Sequence, residues 1–84
     1  MKNAETKIAL AGIIVEEETA VERVNGLLHE YREYIVGRMG IPYPAKAVNI
    51  ISVVVDAPEP VISALSGKLG MIQGINVKTI QTKK

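Results

Sequence analysis

The 84-residue chain carries ten basic and nine acidic side chains, a formal charge of +1, so bulk electrostatics give no reason to expect a nucleic-acid or membrane-surface partner. With 48% apolar and 23% charged residues it has the composition of one globular domain, small enough to bury only roughly 60–65% of its unfolded surface. It contains no cysteine, which excludes disulfides and thiolate metal sites.

Residues 1–7 are polar, and the apolar run Ile8–Val15 is too short, and wrongly flanked, for a signal peptide or a membrane span. The expectation is a soluble cytoplasmic protein with no membrane contact. A first strand is predicted over Lys7–Val15, with Ile8, Leu10, Gly12 and Ile14 on one side and Ala9, Ala11, Ile13 and Val15 on the other. Both sides are apolar, so both should be covered. Glu16–Glu18 end that strand, and Thr19 with Glu22 three residues later predicts a capping box opening a first helix. Val21, Val24, Leu28 and Tyr31, with Leu27 beside them, make its buried stripe, and the helix should end near Glu33.

A second strand is predicted over Tyr34–Ile41, with a bulge or close approach at Gly37 or Gly40, and Pro42, Tyr43 and Pro44 as the connection that follows. The third strand, Ala47–Val55, is rich in valine and isoleucine, with Asn49 and Ser52 its polar interruptions. A second helix should start at Asp56 or just after it, since Pro58 and Pro60 are tolerated only in the first turn. Ile62, Leu65, Leu69 and Ile72 form its buried stripe, and Gly70 or Gly74 ends it. A fourth strand, Ile75–Gln81, places Ile75, Val77 and Thr79 on one face. Residues 1–6 and 82–84 should fray, including the terminal lysines Lys83 and Lys84.

The order strand-helix-strand-strand-helix-strand is that of a single α+β domain of the ferredoxin-like, split βαβ type, spanning residues 1–84. In that topology two helices cover one side of a four-stranded antiparallel sheet, and the first and third strands lie at its centre. Each of them offers apolar side chains to the uncovered side. Leaving those side chains wet forgoes roughly 1.5–3 kcal/mol each, so a homo-oligomer, dimer or tetramer, that covers this face or joins sheets edge to edge is expected.

Chemistry is sparse. His29 is the one histidine and falls away from the buried stripe; it is a weak candidate metal ligand. No serine or threonine has a base partner at a recognisable spacing. Gly67-Lys68 matches the end of a phosphate-binding loop, but Ile62 stands where the opening glycine is required. Glu16–Glu18 read as a solvated run beside a helix start. The aromatics are Tyr31, Tyr34 and Tyr43 alone, without the stacking platform of a single-stranded RNA reader. Gly26 on the first helix and Ser63, Gly67 and Gly70 on the second form small-residue surfaces that suit either tolerated imperfection or a close approach by a ligand or subunit.

Three segments carry a resemblance. Val24-Asn25-Gly26-Leu27-Leu28-His29, Arg38-Met39-Gly40-Ile41-Pro42 and the long run Leu65–Thr79 resemble the iron-only hydrogenase system regulators, small stand-alone ACT-like domains. Membership implies a regulatory role, of the transcription-regulating kind, linked to that system. The chain is also distantly similar to the metal-binding domain of the nickel-responsive repressor, whose site uses three histidines and a cysteine. His29 falls on one of those positions, while Gly40, Pro42 and the neighbourhood of Val48 occupy the others and cannot bind metal, so no metal and no cofactor is expected. The six or so residues before the first strand leave no room for the repressor's DNA-binding segment, so direct nucleic-acid binding is not expected.

The resulting expectation is a non-catalytic regulatory homo-oligomer that senses a small effector or docks a partner protein. ACT-like domains commonly bind effectors at the connection between the first strand and first helix, which implies Gly12 and Glu16–Thr19, with Gly26 nearby, a surface whose acidic run does not suggest an anionic effector. Arg38, Tyr43 and Lys68 are polar groups in or near the resembling segments and complete the candidate set. The alternatives are a structural adaptor without ligand and, less well supported, a small dimeric ferredoxin-like enzyme.

Overall fold

The computed structural model describes residues 5–82. The chain runs β1 (Lys7–Val15), α1 (Ala20–Glu30), β2 (Ile35–Tyr43), β3 (Val48–Ala57), α2 (Glu59–Gly70) and β4 (Ile75–Gln81), with short 3-10 turns at Arg32–Tyr34 and Pro44–Lys46. The strands form one antiparallel sheet in the order β2-β3-β1-β4. Each half is therefore a βαβ unit whose two strands are parced apart by a strand of the other half, and both helices lie on one side. This is the ferredoxin-like fold. Among the described residues no helix is long and apolar enough to cross a membrane.

Alternation along the two central strands builds the core. Ala9, Ala11, Ile13 and Val15 of β1 and Ile51, Val53, Val55 and Ala57 of β3 are buried beneath Ala20, Val24 and Leu28 of α1 and Ile62, Leu65 and Leu69 of α2. Val21, Leu27, Tyr31 and Ile72, expected in the helix stripes, border that core half-buried. The Ser66 hydroxyl lies 2.9 Å from that of Thr79 and joins α2 to β4.

The bounds of β1 and β4 match expectation, and the remaining elements differ for definite reasons. Thr19 forms no capping box. Its backbone is already helical (φ −64°, ψ −19°) and its side chain caps nothing, because the Ala20 and Val21 N–H groups donate to Glu17 and Glu18 carbonyls and the turn runs straight into the helix. An extended cap residue could not fit there. The first helix stops at Glu30 rather than near Glu33, where the chain tightens into the 3-10 turn and Arg32 Nη1 donates to the His29 carbonyl at 2.9 Å.

Strand β2 runs on through Pro42 and Tyr43, which were expected in the connection. It is an edge strand bonded on one side only, where a residue without an N–H can be accommodated. Its register shifts between Ile35 and Gly37, while Gly40 pairs regularly with Ile51. β3 continues to Ala57, so α2 starts at Glu59 with Pro58 at its cap and Pro60 in its first turn.

The expected fraying of residues 1–4 and of Lys83 and Lys84 lies outside the described residues. Thr82, at the end of the described chain, is clasped to β1: its N–H donates to the Ile8 carbonyl at 2.9 Å, and its hydroxyl accepts the Ile8 N–H at 3.3 Å.

Candidate functional site

The side of the sheet away from the helices is the chain's most distinctive surface. Register sorts it into rows running from β2 to β4. One row is Gly37, Val54, Leu10 and Ile80; the next is Met39, Ser52, Gly12 and Lys78; the third is Ile41, Ile50, Ile14 and Asn76. Tyr43 with Val48 closes one end, and Asp56 with Ile8 the other. Ile8, Leu10, Ile14, Met39, Ile41, Tyr43, Ile50 and Ile80 are between 36% and 67% exposed. That is far from the polar surface an open antiparallel sheet ordinarily presents.

The middle row is small at its centre. A Cβ added to Gly12 would meet no atom within 4 Å, and Gly12 lies in an open hollow of about 380 Å³ lined also by Ile14, Ile50, Asn76 and Lys78, among others. Ser52 stands beside Gly12 in the same row. The side chains of Ser52, Asn76 and Lys78 make no hydrogen bond or ion pair among the described residues.

The six candidate residues occupy separate regions. Gly12 lies mid-strand on the open face, on the opposite side of the sheet from Thr19 and Gly26, so the three do not converge. Gly26 and Lys68 do share a shallow depression on the outside of the helix layer, with Arg23, Leu27, Glu30 and Ile72. Lys68 Nζ sits 5.3 Å from the centre of the Tyr31 ring, and the neighbouring Tyr31 phenol, then Tyr31's charge when ionised, hold the ammonium above the ordinary lysine range.

Arg38 points to the helix side of β2, where its Nη2 donates to Asn25 Oδ1 at 2.7 Å beside a groove that also includes Val21, Gly40 and Asn49. Tyr43 lies at the end of β2 near Glu18, Pro44 and Asn49. His29 is exposed in the last turn of α1. Among the described residues no three of His, Cys, Asp or Glu are placed to hold a metal ion.

The sequence marks Ser52 only as a polar interruption of the third strand, and it marks neither Asn76 nor Lys78 as a site residue, although the pattern contains them. In β4, Ile75, Val77 and Thr79 on the helix side oblige Asn76, Lys78 and Ile80 onto the other. What alternation cannot supply is register, and register is what sets Lys78 and Ser52 on either side of Gly12.

A family model described as "Iron-only hydrogenase system regulator, putative" (TM1266-like) matches residues 7–79, from the start of β1 to near the end of β4. The chain belongs to this family. Among solved structures, the uncharacterized protein TM1266 from Thermotoga maritima is 40% identical, with a TM-score of 0.88 over 94% of this chain and 100% of that one.

Two further structures share the fold alone. A formyltetrahydrofolate deformylase from Pseudomonas putida KT2440 is 13% identical (TM-score 0.61), covering 86% of this chain and 28% of that one. CPII, a nitrogen regulatory PII-like protein from Thiomonas intermedia K12 whose structure holds ADP, AMP and bicarbonate, is 19% identical (TM-score 0.53), covering 95% of this chain and 96% of that one. No curated protein matches the chain.

Proposed function

We propose that this family member is a non-catalytic regulatory domain, linked to the iron-only hydrogenase system, that acts as a homo-oligomer closed over the open face of its sheet and senses a small effector. The observation that carries the reading is the apolar face itself, continuous across all four strands. Burying a side chain such as Ile14 or Leu10 is favourable by roughly 1.5–3 kcal/mol, and a second copy is the partner every molecule of the protein always has available. The aliphatic side chains on this face can also meet their own copies across a two-fold axis, as an isologous interface requires.

Sedimentation velocity at micromolar concentration tests the assembly. The wild type should run as a discrete oligomer, and Leu10→Asp with Ile14→Asp should run as a folded monomer. A monomeric wild type overturns the reading.

One observation favours an adaptor as the second reading: among the described residues nothing pairs with the outer edge of β2 over its nine residues, a surface to which a partner's strand could add. A stoichiometric protein partner that copurifies without any small ligand from cells making the hydrogenase, and is lost when Gly40, which shares Pro42's outward-facing N–H parity, is replaced by Pro, would select it.

A further inference from the structure

We propose that the hollow at Gly12 is a binding site for a small monocarboxylate with an apolar chain, its tail against Ile14 and Ile50 and its carboxylate on Lys78. The proposal rests on the effector-sensing reading above and gives that effector a chemical class. It starts from a glycine that its own chain does not need.

Gly12 is the sixth residue of the nine-residue central strand β1, its φ is not in the left-handed region, and an added Cβ would meet open space. Glycine inside a strand weakens it and marks places where something outside the strand approaches closely. Within the described residues nothing does.

The surroundings say what should. The hollow has aliphatic walls, and two polar side chains without internal partners among the described residues line it, Asn76 and Lys78 of β4, while Ser52 stands across Gly12 in the same row. An apolar depression with a few convergent polar groups is the general form of a small-molecule site.

A side chain from a second copy fills such a space less well. Covering the face would desolvate Lys78, and a two-fold mate would bring an identical lysine rather than an acid. The one carboxylate on the open face of the strands, Asp56, stands two rows away beside Ile8. A buried ammonium needs a counter-charge, and the ligand supplies it. One cation and one amide suit a monoanion; a phosphate dianion ordinarily recruits arginine or a helix N-terminus as well, and neither borders the hollow.

Calorimetry with octanoate as the probe, and octylamine and octanol as matched controls, tests the assignment. Octanoate should bind with one site per chain and octylamine should not; octanol should bind at least tenfold more weakly. Gly12→Val should keep the fold, with an unchanged or raised melting temperature, and abolish octanoate binding. Lys78→Met should weaken octanoate at least tenfold while leaving octanol unchanged.

Octanoate binding that survives Gly12→Val, or equal binding of octylamine, overturns the proposal. So does a Gly12→Val protein that no longer assembles while the wild type is silent to octanoate, because the hollow then receives a side chain of the second copy. Sedimentation of the same samples separates the two claims: an assembled protein that ignores octanoate removes this site alone, and a monomer that binds it removes the assembly alone.

Discussion

The carbonyl oxygen of Gly74 accepts the N–H of Glu16 at 2.7 Å, and that bond ties the turn before β4 to the end of β1. The same carbonyl receives the Glu17 N–H at 3.2 Å. Gly74 holds this position with φ +89°, and a Cβ placed there would lie 2.7 Å from Glu17 Cβ. Both the backbone conformation and the space demand glycine.

Gly74→Ala should therefore destabilise the protein by about 1–3 kcal/mol, combining the cost of a positive φ with the displacement of Glu17. Denaturant titration checks this. An unchanged midpoint would mean that the turn relaxes freely and does not hold the β1–α1 connection.

Glu59 gives stability a pH dependence at the opposite end of the sheet. Its carboxylate accepts Lys7 Nζ at 2.8 Å and Gln81 Nε2 at 3.0 Å, and these bonds, with the charge of Lys7, hold it below its ordinary value of 4.5. A lowered folded-state value means the contribution is complete above the unfolded value and is lost as pH falls through the folded one. Glu59→Gln should flatten the decline in melting temperature below about pH 4.5 and lose a little stability at pH 7. Both effects should shrink in salt, since the group is solvent-exposed.

Gly26 and Gly67 make the opposite case to Gly74. Each is helical, and an added Cβ would meet nothing within 4 Å at either. Gly26→Ala and Gly67→Ala should each raise stability by about 0.5–1 kcal/mol. If sedimentation shows that assembly is kept, these glycines are tolerated imperfections. If assembly is lost, the helix layer is an interface too.

Legibility in the sequence divided along physical lines. Period-2 alternation needs no tertiary information, and it placed β1 and β4 to the residue. Pro42 was read as a strand terminator because its place on an edge depends on strand order, which composition does not encode. Thr19 was read as a cap from its spacing to Glu22, but the path of the chain through Glu17 and Glu18 decided the backbone conformation first. Among the candidate site residues, Gly12 is implied by the resemblance to ACT-like effector sites at the β1–α1 connection, yet it faces the other side of the sheet. Its neighbours Ser52 and Lys78 come from strands 40 and more residues later in the chain, and only the pairing register unites them.

Ile13 and Ile14 are adjacent, and the pleat sends them to opposite fates. Ile13 is 1% exposed between the sheet and the helices, whereas Ile14 is 43% exposed on the open face. Ile13→Ala should cost about 2–5 kcal/mol at every protein concentration, because it leaves a cavity in a core that a single chain completes by itself. Ile14→Ala should cost little in a dissociated chain, and its loss should appear only where the assembly is populated. Melting temperatures measured over a hundredfold range of concentration distinguish the two. The wild type and Ile13→Ala curves should both rise with concentration in parallel, and the Ile14→Ala curve should rise at higher concentration. An Ile14→Ala protein as destabilised as Ile13→Ala under dilute conditions would show that a lone chain already buries the open face, and the case for assembly would lose its foundation.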